Sequence, residues 1–311
     1  MRKGAKIYVA GGQSGLVGTA IVRNLTKKGY TNIIVRTRKE LDLMDKGQVD
    51  AFFKRESPEY IFLAAALVGG IMANKSRKAD FIYQNLEVQN NVIYAAWKYK
   101  VKKLLFLGSS CIYPKYAKQP IKEEYFMTGP LEETNDAYAV AKIAGIKMCQ
   151  SFNEQFGTNF ISAMPTNLYG PNDNYDLQTS HVLPALIRKF HDAKVGGKPT
   201  VTLWGTGAAY REFLHVDDMA DACVFLMESY NSGEIVNIGT GKDLKIRALA
   251  QLVKKTVGYT GRIVWDSTKP NGTPKKQLDV SRLFKLGWKP TISLADGIAR
   301  EYKWFTNNVT R

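Results

Sequence analysis

The sequence predicts an α/β protein: a doubly wound parallel sheet with a smaller C-terminal α/β lobe. Two observations carry this. Short apolar runs alternate with segments of helical periodicity through the first half of the chain, which implies strands joined by right-handed crossovers into a parallel sheet. A glycine-rich turn also separates the first strand-like run from the first helix-like run, where such sheets place a pyrophosphate against a helix N-terminus.

Residues 5–10 (AKIYVA) read as a short buried strand, and GGQSGLVG leads from it into the helix-like TAIVRNLTKKG. Residues 32–36 read as a second strand, followed by a helix in LDLMDKGQVDAFFKRESP. Residues 59–66 form a third strand, 78–100 a helix, 102–108 a fourth strand and 136–156 another helix. NFISAMPTNLYGP reads as a fifth strand. Beyond Pro165 turn residues become frequent, and between the helix-like SHVLPALIRKFHDA and KIRALAQLVKKTVGY lie a strand, a turn and another helix in TVTLWGTGAAYREFLHVDDMADACVFLMES, then a strand in EIVNIGTG. Residues 1–165 are therefore expected to form a cofactor domain, with elements from about 205–240 returning to it. Residues 166–311 are expected to form mainly a substrate lobe.

The 311 residues carry a formal net charge of +16, which raises nucleic acid or a polyphosphate as a partner. The basic residues are scattered as pairs such as Lys27-Lys28 and Lys275-Lys276, without a block of five or six. That pattern suits solvated helix faces plus a few anion contacts. Nucleic-acid binding by an inactive basic protein is carried as the reading of another class. No apolar run approaches the ~20 residues of a membrane span, and the N-terminus runs straight into a strand pattern without a signal peptide. Cys111, Cys149 and Cys223 lie far apart without metal-ligand spacing. A reducing compartment, the cytoplasm, is expected, with no disulfide framework and no metal.

Gly12, Gly15 and Gly18 supply a tight turn and close approach to a pyrophosphate. At the end of the second strand, where an acid would bind the ribose hydroxyls of NAD, the chain reads Val35-Arg36-Thr37-Arg38. Guanidinium forks bind a 2′-phosphate, so NADP(H) is expected over NAD. Asp42 follows within reach of an adenine.

Ser109 and Cys111 follow the fourth strand, and Tyr138 and Lys142 lie at i and i+4, on one face of a helix. A serine, a phenol and an ammonium can polarise a carbonyl and move a proton beside it. On local physics alone Cys111 reads first as a small buried hydrophobe.

The glycine loop, Ser109 and Tyr138-x-x-x-Lys142 resemble the extended short-chain dehydrogenase/reductases, a family with a Rossmann cofactor domain. AAALVGGIMAN, GSSCIYP, MPTNLYGPNDNY, SHVLPALIRKFHDA, WGTGAAYREFLHVDDMA and KPNGTPKKQLDVSRL then follow in order. Together they resemble the branch that makes GDP-L-fucose from GDP-4-keto-6-deoxy-D-mannose by 3,5-epimerisation and NADPH-dependent 4-keto reduction. The resemblance implies Cys111 as base, His181 as acid, and Ser109 and Tyr138 around the ketone oxygen, with Lys142 on the nicotinamide ribose. It extends the cofactor site over Gly12, Gln13, Ser14, Gly15, Leu16, Val17, Gly18, Leu107, Gly108, Ser110, Pro165, Thr166, Asn167, Leu168 and His181, beside Arg36, Arg38, Asp42 and Lys142. Lys142 is further expected to favour tyrosinate at Tyr138.

For the nucleotide sugar the resemblance implies Asn167, Lys189, Trp204, Arg211, Asn271 and Lys276. Arg211 forks to a phosphate, and Trp204 offers an apolar face, with a plain core role as its alternative. Lys189 and Asn271 depart from the arginine and aspartate frequent at those places. The family is generally homodimeric, through helices matching 78–100 and 136–156. The rival enzyme reading is another sugar-nucleotide reductase or epimerase, which does not need Cys111 and His181 together.

Overall fold

The computed structural model describes residues 1–269 and 271–310; Pro270, within the KPNGTPKK motif, and Arg311 lie outside the described residues. The chain runs β1 (Ile7–Ala10), α1 (Leu16–Lys27), β2 (Ile33–Ile34), α2 (Lys46–Glu56), β3 (Tyr60–Leu63), α3 (Ile71–Ser76) and α4 (Lys78–Lys98). It continues through β4 (Lys103–Leu107), α5 (Asp136–Phe156), β5 (Phe160–Pro165), β6 (Asn167–Tyr169), α6 (Val182–Val195), β7 (Thr200–Trp204), β8 (Tyr210–His215) and α7 (Val216–Ser229). The remainder is β9 (Val236–Ile238), β10 (Asp243–Lys245), α8 (Ile246–Val257), β11 (Arg262–Asp266), β12 (Lys275–Lys276), α9 (Ser281–Lys285) and α10 (Leu294–Asn308).

Among the described residues the main sheet has six strands in the order β2-β1-β3-β4-β5-β9, every pair parallel. The strand order reverses between β1 and β3, so a crevice opens outside the carboxyl ends of those strands. One face is covered by a core containing Phe53, Phe106 and Ile146 from α2, β4 and α5. The other holds Ile21, Phe62 and Met219 from α1, β3 and α7. Burying each such side chain contributes about 1.5–3 kcal/mol, which fixes the strand ends that carry the site.

Three elements differ from the sequence expectation. Only Ile33 and Ile34 of the second strand pair, against Ile7 and Tyr8; just beyond them the Val35 carbonyl oxygen accepts the Arg36 side chain at 2.8 Å in place of a ladder bond. The fifth strand is two strands. Thr166 donates its N–H to Ile238 at 2.9 Å and its hydroxyl to the Glu212 carbonyl oxygen at 3.2 Å, so the chain leaves the first sheet there and enters a second. A short helix, α3, follows the third strand.

The second sheet is centred on β8, which pairs with β10 antiparallel and with β12 and β6 parallel. β7 and β11 form a separate parallel pair. A third core, with Phe190, Val253, Tyr175 and Phe305, joins α6, α8 and α10 beneath the site.

Candidate active site

β4 is buried along its whole length and delivers Gly108 to Cys111 at its carboxyl end. A single helical turn, Ser110–Ile112, follows, and the Ser109 hydroxyl caps it by accepting the Cys111 N–H at 3.3 Å. From α5, Tyr138 and Lys142 reach the same place. The Ser109 side chain lies close enough to the Tyr138 phenol and the Cys111 thiol to favour the ionised form of each, against the larger effect of burial. Lys142 Nζ donates to the Leu107 carbonyl oxygen at 2.8 Å and lies 5.7 Å from the Tyr138 ring centre. Phe81 meets Tyr138 edge-on, with ring centres 6.2 Å apart.

Burial sets the acidities. It raises the Tyr138 phenol well above its ordinary value, and a Cys111 thiolate adds to this while the Ser109 bond opposes it. Lys142 does not make Tyr138 a tyrosinate as expected; burial brings Lys142 itself down to about 8, with Cys111 opposing. Burial also pushes the Cys111 thiol up, offset in turn by Lys276, the Ser109 bond and Lys142.

His181 stands immediately before α6 and makes no side-chain cap. The residue is exposed, yet protein atoms crowd its ring and hold it below the ordinary histidine value. His215 instead caps α7, its Nδ1 accepting the Asp217 N–H at 3.2 Å, and His191 meets the Tyr302 hydroxyl at 3.1 Å. Cys149 and Cys223 are buried in the two sheet-face cores.

The residues present fit a phosphorylated dinucleotide. Gly15 precedes α1 with φ 82°, ψ 170° and no side-chain cap, so the leading N–H groups of α1 are open to an anion. A side chain at Gly18 would strike the Gly11 carbonyl oxygen at 1.9 Å, so the turn and helix touch backbone to backbone. Of the two arginines, Arg36 is paired with Glu56 at 3.0 Å, an acid twenty residues on that the local reading missed. Arg38 is exposed, with Asp42 Oδ2 at 3.7 Å and Met44 Sδ at 3.7 Å, both long contacts, so it is the freer fork. Asp42 Oδ1 accepts the Met44 N–H at 3.0 Å.

The substrate-side residues come from the second sheet and its loops. Strand register sets Lys276 beside Arg211. Arg211 donates to the carbonyl oxygens of Tyr210 at 2.7 Å and Asn271 at 3.5 Å. Burial lowers the pKa of both cations. Lys276 also acts on the Cys111 thiol, a role that sequence reasoning did not give it. Lys189 donates to the Thr202 carbonyl oxygen at 3.2 Å and lies 5.7 Å from the Trp204 ring centre. Trp204 is 46% exposed, so it is not a core residue. Asn271 Oδ1 accepts the Thr206 N–H at 2.8 Å, and Asn167 Nδ2 donates to the Glu212 carbonyl oxygen at 2.8 Å. The fully buried Glu212 accepts N–H bonds from Thr240, Gly241 and Leu278. It thereby joins β8 to β12 and sets Arg211 beside Lys276. Its sequence signal is faint, an acid beside Arg211 and just before the apolar Phe213-Leu214 of the strand YREFLH.

The family model for the NAD dependent epimerase/dehydratase family matches residues 7–239. The chain belongs to that family, among the GDP-L-fucose synthases. It is 58% identical over 307 residues to GDP-L-fucose synthase 1 of Arabidopsis thaliana, covering 99% of this chain and 95% of the relative. It is 51% identical to GDP-L-fucose synthase of Escherichia coli (strain K12), covering 98% of each. Among solved structures, a GDP-mannoheptose C4 reductase from Campylobacter jejuni with NADP bound superposes with a TM-score of 0.91 at 44% identity, over 98% of this chain and 99% of that one. The matches cover 95% and 98% of these GDP-L-fucose synthases, so the likeness takes in both sheets of the chain.

Proposed function

We propose that the chain converts GDP-4-keto-6-deoxy-D-mannose to GDP-L-fucose, inverting carbons 3 and 5 and then reducing the ketone at carbon 4. The observation that carries this is Cys111 beside Ser109, its N–H on the Ser109 hydroxyl at 3.3 Å and its thiol in the same electrostatic neighbourhood as the reductase tyrosine. A ketone oxygen held by Ser109 and Tyr138 acidifies the protons on both neighbouring carbons. Cys111 then removes a proton from one face, and His181 returns one on the other. Ser109 and Tyr138 hold the enolate oxygen as an oxyanion site. Bound NADPH supplies the hydride for carbon 4. Tyr138, kept protonated by burial, delivers the proton to that oxygen, and Lys142 orients the nicotinamide ribose.

We assign residues 1–165, with elements from about 205–240, to cofactor binding. The remainder serves the nucleotide sugar, its diphosphate falling to Arg211, Lys189 and Lys276 and its ring to Trp204, Asn167 and Asn271. α4 and α5 leave Tyr83, Tyr94, Val140 and Phe156 exposed, and these support a homodimer through the two helices; a monomeric mass by light scattering excludes it. Among the described residues no helix is long and apolar enough to cross a membrane. The free cysteines support a cytoplasmic location.

The second reading, reduction of a 4-ketone without inversion, is favoured by the likeness to the C4 reductase. Incubation with GDP-4-keto-6-deoxy-D-mannose and NADPH in deuterated water separates the two. GDP-L-fucose with deuterium at carbons 3 and 5 is expected. An alcohol of unchanged configuration without deuterium supports the reductase alone.

A further inference from the structure

Residues 170–181 join β6 to α6 and end on His181. Their internal bonds fix the shape of this loop. Asp176 Oδ1 accepts N–H bonds from Gln178 at 3.0 Å and Thr179 at 2.9 Å. Asn174 accepts from Asp176 N and donates to the Thr179 hydroxyl, both at 2.9 Å. These bonds are short-range and exposed, so they do not say where the loop sits on the protein.

Its position is set by few contacts. Gly70 N–H donates to the Thr179 carbonyl oxygen at 2.9 Å, and Asn172 donates to the Thr19 hydroxyl at 3.2 Å in an exposed bond. Among the loop's side chains Tyr175 alone is buried. Its ring enters the third core, 4.6 Å from Phe305 and stacked at 6.3 Å on Trp304. At the bottom its hydroxyl donates to Glu301 Oε1. Glu301 is 1% exposed, and its other carboxyl oxygen and Asp173 Oδ2 are both buried without a partner.

Packing alone does not call for a carboxyl group there, because burying one costs stability unless it is bonded. A buried polar pair does select which residue of the loop enters the core, since a slipped loop would leave Glu301 without its donor. Burial pushes Glu301 and Asp173 up to about 7, so a proton is available to the pair at neutral pH.

We propose that Tyr175, through its hydroxyl on the buried Glu301, is a positioning residue that holds the His181 loop against the catalytic pocket. The proposal rests on His181 as the acid of epimerisation. It separates the two half-reactions, since reduction draws on Ser109, Tyr138 and Lys142, which stand on β4 and α5 away from the loop's anchor.

The experiment uses full-length variants with GDP-4-keto-6-deoxy-D-mannose and NADPH in deuterated water. It reads deuterium at carbons 3 and 5 and the share of product reduced without inversion. Tyr175→Phe keeps the ring and removes one buried hydrogen bond, and is expected to lower deuterium incorporation about tenfold. Reduction should stay within about twofold, so the uninverted share rises. Glu301→Gln keeps an acceptor for the hydroxyl and should exchange like the parent. Glu301→Leu removes the acceptor and is read as Tyr175→Phe is, which covers a tyrosine variant that does not fold. Exchange and reduction falling together, or exchange unchanged in both Tyr175→Phe and Glu301→Leu, overturns the proposal. His181→Ala is run beside them: normal exchange there overturns the assignment of His181, whereas loss there with normal exchange in the anchor variants overturns the anchor alone.

Discussion

Replacing Gly18 with alanine probes how the first turn of α1 holds a dinucleotide. The new Cβ would lie 1.9 Å from the Gly11 carbonyl oxygen, 2.5 Å from its carbon and 2.9 Å from Gly12 N. All three are backbone atoms, so no rotamer relieves the overlap. A carbon–oxygen contact needs about 3.3 Å, so turn and helix must part by roughly 1.4 Å. Overpacking of that kind costs about 1–3 kcal/mol, which should appear as a fall in Tm of several degrees. The same movement carries the leading N–H groups of α1 away from the pyrophosphate. Losing one bond to a charged oxygen is worth about 1.5–3 kcal/mol, or roughly 10- to 150-fold in Kd. Fluorescence titration of NADPH, paired with thermal unfolding of the same samples, reads both terms. A lowered Tm with an unchanged Kd for NADPH would refute the reasoning, because the glycine would then serve packing only.

Arg38→Ala should raise the KM for NADPH about tenfold or more while leaving that for NADH unchanged, as measured by nicotinamide oxidation. Arg36→Ala should also lower Tm, because it leaves Glu56 without its main partner. Cys111→Ser should abolish deuterium exchange at carbons 3 and 5 yet retain ketone reduction. In the parent, exchange should climb with pH and continue beyond the usual thiol range of about 8.5, because burial holds the Cys111 thiol high. Glu301 and Asp173 have folded values raised to about 7, so their stabilisation is full below about pH 4 and is lost as pH rises through 7. Tm should fall over that window, and Glu301→Gln should flatten the fall; Tyr175 modulates it through its hydrogen bond, and Asp217 and Arg23 through their charge.

The alternation of strand and helix was legible because each β4-type strand is apolar on both faces and each crossover helix has one apolar stripe. The second sheet was not. Its centre, β8, takes neighbours from residues 167–169, 243–245 and 275–276, and strands of two or three residues carry no period to read. The same distance in sequence hid the acids. Glu56 on Arg36, Glu212 on Thr240, Gly241 and Leu278, and Glu301 on Tyr175 each meet partners only in the folded chain. Ser109, Tyr138 and Lys142 were legible because one strand end and one helical turn bring them together. His181 was reached only through resemblance, since its place depends on where a loop is anchored.

Burial acts on every titratable group of the pocket in one direction, towards the uncharged form. It keeps the Tyr138 phenol and the Cys111 thiol protonated and eases the proton from Lys142 and His181. A pocket built this way holds few net charges, and Arg38, Lys189 and Arg211 are the cations we assign to the phosphates of the two nucleotides. The division matters for a ketone with acidic neighbours. An enolate oxygen arriving between Ser109 and Tyr138 meets donors that need no prior deprotonation, so their bonds strengthen as charge develops. Meanwhile the thiol regains some thiolate character from Lys276 and Lys142. The ordinary reductase frame needs only the first of these two effects. The second requires a cysteine beside Ser109 and a lysine brought from residue 276 by the β8–β12 register, the pairing on which the proposed movement of protons on carbon, beyond simple ketone reduction, rests.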